Sequence, residues 1–107
     1  MTDTALFRII EVIVRTLDPD TIILFGSRAR GDAREDSDFD ICVLKDGITE
    51  RRPLARNLYR ALYGVGAPVE LIVETPGTFI KNKDNPHLIY HDIARYGKII
   101  YEKPLAG

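Results

Sequence analysis

The chain is expected to fold as an α/β domain: a small mixed β-sheet of about four strands, flanked by helices. Apolar residues recur at helical spacing in some segments and form short β-branched runs in others, and the two kinds of segment take turns along the chain. Glycine and proline punctuate the changes of pattern. The out-of-place polar residues gather at the ends of the short apolar runs, which is how a sheet presents a site at one edge.

The first segment reads as a helix, because Leu6, Ile9 or Ile10, Ile13 and Leu17 share a face while Glu11 and Arg15 lie on another. Thr2 or Asp3 is placed to cap it, and Asp18-Pro19-Asp20 ends it, since proline restricts the residue before it. Thr21 to Phe25 (TIILF) is a short buried strand cut off by Gly26. From Gly26 to Ser37 the pattern is polar and allows at most one or two helical turns. Asp38 to Leu44 (DFDICVL) is the second strand, followed by a Lys45-Asp46-Gly47 turn. A longer helix runs through Leu54, Leu58, Ala61 and Leu62 and stops at Gly64 and Gly66. Pro68 to Glu74 (PVELIVE) is the third strand and Lys98 to Lys103 the fourth. A short helix near Gly77–Lys81 and a better one over Pro86–Tyr96 lie between them.

Composition narrows the function. A length of 107 residues suits one domain over residues 1–107, and 45% hydrophobic content is enough for an ordinary core. With 15 basic and 16 acidic residues the net charge is -1, which argues against general nucleic-acid binding and against a membrane-surface protein. The single cysteine, Cys42, excludes an internal disulfide and a cysteine-rich zinc site, and fits a reducing compartment. The N-terminal segment has neither the pattern of a signal peptide nor that of a membrane span. A soluble, cytoplasmic protein is expected.

Residues alternate faces along a strand, so Asp38 and Asp40 point to one side while Phe39, Ile41 and Val43 point to the other, into the core. Two carboxylates on one face of an apolar strand repel each other and lose hydration, an arrangement that persists when a cation is shared. Magnesium fits best, because it takes oxygen ligands and uses one or two carboxylates together with substrate phosphates. Glu70 interrupts the apolar run of the third strand and is the third acid. Gly26 and Ser27 supply a turn whose backbone can approach a phosphate closely. Arg28, Arg30 and Arg34 lie near enough to contact phosphate oxygens. If these groups serve one site, the end of the first strand must adjoin the start of the second, so those strands run antiparallel. The third, after a helical crossover, lies parallel to the second.

The stretch GSRARGDAREDSDFD, a Gly-Ser pair, a ten-residue spacer and Asp-x-Asp, resembles the signature of the DNA polymerase β-type nucleotidyltransferase superfamily. Its wording and the bare-domain length are similar to the minimal nucleotidyltransferase (MNT) branch. The resemblance spans nearly the whole chain, since the third acid of the family opens a later strand, as Glu70 does. It implies transfer of a nucleoside monophosphate from a nucleoside triphosphate, ATP in particular, to a hydroxyl with the help of two Mg2+ ions. It further implies that Asp38 and Asp40 hold the metals, that Glu70 ligates the metal nearest the acceptor and helps deprotonate it, and that Gly26 and Ser27 bind the β- and γ-phosphates. Minimal members often pair with a HEPN-domain toxin as its antitoxin, and some adenylylate the toxin on tyrosine. Minimal members commonly carry Asp at the third position, where this chain has the longer Glu70. Two other outcomes stand beside that one: an antitoxin acting by contact alone, and a nucleotidyltransferase of small molecules. The sequence leaves open whether the chain forms a homo- or hetero-oligomer.

Other conspicuous residues have plainer readings. Glu74 is the fallback third acid, although its place at the strand end favours a capping or solvent role. Arg28 and Arg30 could instead pair with Asp32, Glu35 or Asp36, and Ser37 caps or bonds the turn. Arg52, Arg56 and Arg60 form a solvated stripe. His87 and His91 share a helix face at metal-ligand spacing, but no glutamate accompanies them to make a zinc site. Cys42 is a small core residue, and the five tyrosines are mostly packing residues.

Overall fold

A computed structural model describes residues 4–104. The capping position at Thr2 or Asp3 lies outside the described residues. Helix α1 (Thr4–Leu17) leads into strand β1 (Thr21–Phe25), the one-turn helix α2 (Ser27–Arg30) and strand β2 (Phe39–Leu44). Helix α3 (Arg51–Ala61), strand β3 (Val69–Glu74), helices α4 (Pro76–Asn82) and α5 (Ile89–Tyr96) and strand β4 (Lys98–Glu102) complete the chain. The expected order of helices and strands holds, with α4 and α5 in succession between β3 and β4.

The four strands form one sheet in the order β3-β2-β1-β4. β1 pairs antiparallel with both β2 and β4, while β2 and β3 run parallel. The mixed sheet is therefore the expected one. The return at Gly26 folds β2 back beside β1, and α3 supplies the crossover that a parallel pair requires.

The alternation of side chains divides the core in two. On one face Ile22, Leu24, Phe39, Ile41 and Val43 pack against Ile9, Ile13 and Leu17 of α1 and Leu58 of α3. On the other, Ile23, Phe25, Cys42 and Leu44 meet Phe79 of α4 and Ile93 of α5. Because both faces of β1 and β2 are covered, these strands read as nearly continuous apolar runs. Ile9, Ile13, Ile22, Ile41 and Leu58 have no exposed surface. Each contributes about 1.5–3 kcal/mol on the usual scale for side-chain burial.

Element boundaries differ from the expectations in small, explicable ways. Asp38 precedes β2 rather than opening it, since pairing starts where the Phe39 amide donates to Pro68 O at 2.9 Å. α5 begins at Ile89 because turns at Asn82–Asn85 and Asn85–Leu88 come first, and Asn85 Oδ1 accepts from the His87 amide. His87 thus lies before α5 and shares no helix face with His91, contrary to the sequence reading. Asp18 ends α1 in the left-handed conformation (φ 52), where its carboxylate meets Lys103 Nζ at 2.8 Å and its carbonyl accepts from Lys45 Nζ.

Candidate active site

Three chain segments meet at the edge where β1 ends and β2 and β3 begin. The register sets Phe25 of β1 opposite Asp40 of β2, and Asp40 in turn opposite Glu70 of β3. Strands pair about 4.8 Å apart, so in-register side chains on one face are immediate neighbours. Asp40 and Glu70 extend the same face as Cys42 and Ile72, past the part that α4 and α5 cover. Asp40 is half-buried, whereas Asp38 and Glu70 are exposed.

The charges of the three acids act on one another. The carboxyl of Asp40 is raised above the ordinary aspartate range, first by burial and then by the negative charges of Asp38 and Glu70, with Arg30 acting the other way. Like charges around a partly desolvated carboxylate favour a proton or a cation. Among the described residues, no three His, Cys, Asp or Glu side chains form a ready-made metal cage. The acids neighbour one another without closing. That donor set fits Mg2+, which takes one or two carboxylates and completes its shell with water and phosphate oxygens.

Gly26 is required at the turn for two reasons. Its φ of +72° is one that L side chains rarely adopt. A Cβ at this position would also collide with Asp40 Oδ2 and lie 3.0 Å from Asp40 Cγ. The glycine therefore lets the carboxylate of β2 rest directly against the backbone that leads into α2. Ser27 opens α2, and Gly31 closes it in the left-handed conformation, its amide donating to Ser27 O. The amides of Ala29 and Arg30 both donate back to Gly26 O at 3.1 Å.

The arginines separate into different environments. Arg28 turns inward: its Nε and Nη2 donate to Ser37 O at 3.1 and 2.8 Å, and Nη2 also reaches Glu35 O at 3.1 Å. Its guanidinium lies 3.9 Å from the ring centroid of Phe39. The sequence suggested a phosphate contact or pairing with an acidic side chain; these three hydrogen bonds run to backbone carbonyls of the loop. Arg30 is exposed, with Nε 3.5 Å from Asp32 Oδ2, and its charge reaches Asp40. Arg34 is exposed, and its amide donates to Ser37 Oγ at 2.8 Å, so Ser37 bonds the turn as expected.

Glu74 is the clearest miss. It is 3% exposed, at the far end of β3 from Glu70. Oε1 accepts from Arg51 Nη1 at 2.6 Å and from the Tyr90 hydroxyl at 2.5 Å, while Oε2 accepts from the Thr75 amide at 3.0 Å. It joins α3, the start of α4 and α5, and is no alternative third acid. Period-two spacing from Glu70 could have shown that both point to one face, but not that helices close over only one of them. Cys42 is buried, as expected, and burial pushes its thiol up to about 12. Tyr63 (92% exposed) and Tyr96 (51%) are surface residues rather than packing residues. Arg52, Arg56 and Arg60 are exposed along α3.

A Gly-Ser turn after one strand, Asp-x-Asp entering its antiparallel neighbour and an acid on a third strand parallel to the second together define a nucleotidyltransferase fold. The chain belongs to the "Polymerase beta, Nucleotidyltransferase" family, whose sequence profile matches residues 8–104. It is 32% identical over 88 residues to the protein adenylyltransferase MntA of Aphanizomenon flos-aquae (strain 2012/KM1/D3). That alignment covers 78% of this chain and 57% of the relative, so the chain matches little more than half of the relative's length. The fold is similar to a chain in the crystal structure of a toxin–antitoxin with AMP-PNP, with a TM-score of 0.67 and 18% identity over 91% of this chain and 73% of that one. A putative nucleotidyltransferase from Sulfolobus solfataricus superposes with a TM-score of 0.57 and 22% identity, over 96% and 91% of the two chains. Among the described residues no helix is long and apolar enough to cross a membrane.

Proposed function

We propose that the chain transfers a nucleoside monophosphate, AMP from ATP, onto a hydroxyl group of a partner protein, as the antitoxin of a HEPN/MNT toxin–antitoxin pair. The observation that carries the chemistry is the register that sets Asp40 beside Glu70 with Gly26 against the Asp40 carboxylate. The partner assignment rests on the MntA relative and on the toxin–antitoxin neighbour.

In this reading the Gly26–Ser27 turn receives the β- and γ-phosphates, with the serine hydroxyl as a donor. Asp38 and Asp40 would hold Mg2+, two ions in all, with Glu70 as a further ligand on the acceptor side. When bound, the metal would neutralise charge on the reacting oxygens and ease deprotonation of the acceptor hydroxyl. Glu70 takes the acceptor proton as the new bond forms from the acceptor oxygen to the α-phosphorus. The bond from the α-phosphorus to the bridging oxygen breaks, and pyrophosphate leaves. Arg30, which is exposed and whose charge reaches Asp40, meets a phosphate oxygen in this reading. The Glu70 carboxylate sits one methylene further from the backbone than that of an aspartate, which gives it a longer reach from β3.

The deciding experiment incubates the chain with α-labelled ATP, Mg2+ and the product of the adjacent reading frame. Label on that protein, lost in Asp38→Asn/Asp40→Asn, is the expected result. A double variant that labels as well as the parent overturns the catalytic reading. One that labels nothing yet still neutralises the partner in cells leaves contact alone as the function. Label on small-molecule hydroxyls and none on protein would reassign the acceptor.

A further inference from the structure

We propose that Arg28 is a positioning residue that builds the metal-binding strand entry before any ligand arrives, by tying the phosphate-binding turn to the peptide that precedes Asp38. The inference rests on the nucleotidyltransferase reading and assigns Arg28 a task different from touching phosphate.

Asp38 needs such support because it stands outside β2 and is exposed, at the end of the irregular stretch 31–38. That stretch carries Asp32, Glu35, Asp36 and Asp38 against Arg34, with Asp32 paired to Arg30, so negative charge predominates in it. A peptide unit is planar, so Ser37 O and the Asp38 amide move as one rigid plate. Arg28 grips that plate through two donors to Ser37 O and holds the next carbonyl but one, Glu35 O, with the same Nη2. The plate on the other side of Asp38 is held where the Phe39 amide donates to Pro68 O at 2.9 Å. Both plates flanking the Asp38 Cα are thus pinned, and the carboxylate hangs from a fixed point.

Arginine suits this task for a geometric reason. Its flat guanidinium presents several N–H groups in a fixed fork and stacks on an aromatic face, as it does on Phe39, itself 2% exposed. A lysine could satisfy one carbonyl but not the fork. Arg28 also springs from α2, whose first residues are the Gly26–Ser27 turn. Phosphate turn and metal strand are therefore joined by one side chain.

The test compares Arg28→Ala and Arg28→Lys with the parent by amide hydrogen exchange in the nucleotide-free protein. Arg28→Ala should speed exchange over residues 31–38 at least tenfold and leave α1 and β1 unchanged, with Arg28→Lys in between. In transfer assays, Arg28→Ala should raise the metal concentration for half-maximal rate about tenfold, while the KM for ATP at saturating metal stays within twofold. Unchanged loop exchange in Arg28→Ala overturns the proposal. So does a large rise in the KM for ATP with the metal dependence intact, since that marks a phosphate ligand. If Arg28→Ala fails to fold, Arg28→Lys decides by the same two readouts. The exchange arm reads the clamp even if the parent proves inactive, so failure of the clamp and failure of the nucleotidyltransferase reading are told apart.

Discussion

Replacing Asp40 with Asn removes one negative charge from the acid cluster and keeps the side-chain shape that rests on Gly26. The Coulomb energy of two unit charges is 332/(εr) kcal/mol; about 6 Å apart in a half-hydrated edge with ε of roughly 40–80, each neighbour contributes about 0.7–1.4 kcal/mol of repulsion. Burial is the first cause of the raised carboxyl; Asp38 and Glu70 add their repulsion to it, but both are exposed and Arg30 offsets part of the effect. Screening by salt leaves a net of about 1 kcal/mol. The sign follows from the raised carboxyl. Asp40 favours the fold below its unfolded pKa, and that contribution is lost as pH rises through its higher folded pKa. At neutral pH and without metal, Asp40→Asn should therefore melt about 4–8 °C above the parent, the shift expected for 1 kcal/mol in a domain of this size. The assay is thermal unfolding followed by circular dichroism in chelator. The gain should shrink in 1 M salt and fade as pH drops below the raised Asp40 range, where that carboxyl takes up its proton. Adding Mg2+ with a nonhydrolysable ATP analogue should raise the melting temperature of the parent and not of the variant. A variant that melts below the parent in chelator would refute the convergence of the three acids, because Asp40 would then be stabilised by its surroundings.

Four further outcomes follow from the same structure. Gly26→Ala combines a disfavoured φ with a collision against Asp40, so it should lose about 1–3 kcal/mol in urea unfolding and also abolish the ligand-dependent rise in melting temperature. Glu74→Gln leaves one carbonyl oxygen where a carboxylate accepts from Arg51, Tyr90 and Thr75, and should cost about 1.5–3 kcal/mol in the same measurement. Burial and then Glu74 push the Tyr90 hydroxyl up to about 12, so the parent should lose stability between about pH 10 and 12 as unfolded chains ionise first; Tyr90→Phe should flatten that slope in pH-dependent unfolding. The Cys42 thiol, likewise raised to about 12, should resist thiol reagents at pH 8 and react only as fast as the protein opens, which labelling in rising urea will show.

Much of the fold was legible because the signals are local. Helical spacing in α1 and α3, the β-branched run of β1 and the breaks at Gly26 and Gly64 each depend on neighbours a few residues away. Strand directions followed from asking that Gly26, Asp38 and Glu70 meet. Arg28 was harder, since an arginine beside a phosphate turn reads the same whether it faces a ligand or a carbonyl. The His87–His91 pairing failed because two successive turns, not a helix, carry the chain past Asn85.

The amino-acid order by itself determined the alternation of elements, the period-two placement of Asp38 and Asp40 and the need for glycine at the turn, because each is a property of the chain over one or two turns or strand residues. Only the folded sheet decided that Asp40 falls level with Glu70, that β4 lies beside β1, and that Glu74 is sealed under α4 and α5 while Glu70 stays open. Register and cover are relations between segments tens of residues apart, set when two core faces are packed at once, and no local pattern carries them.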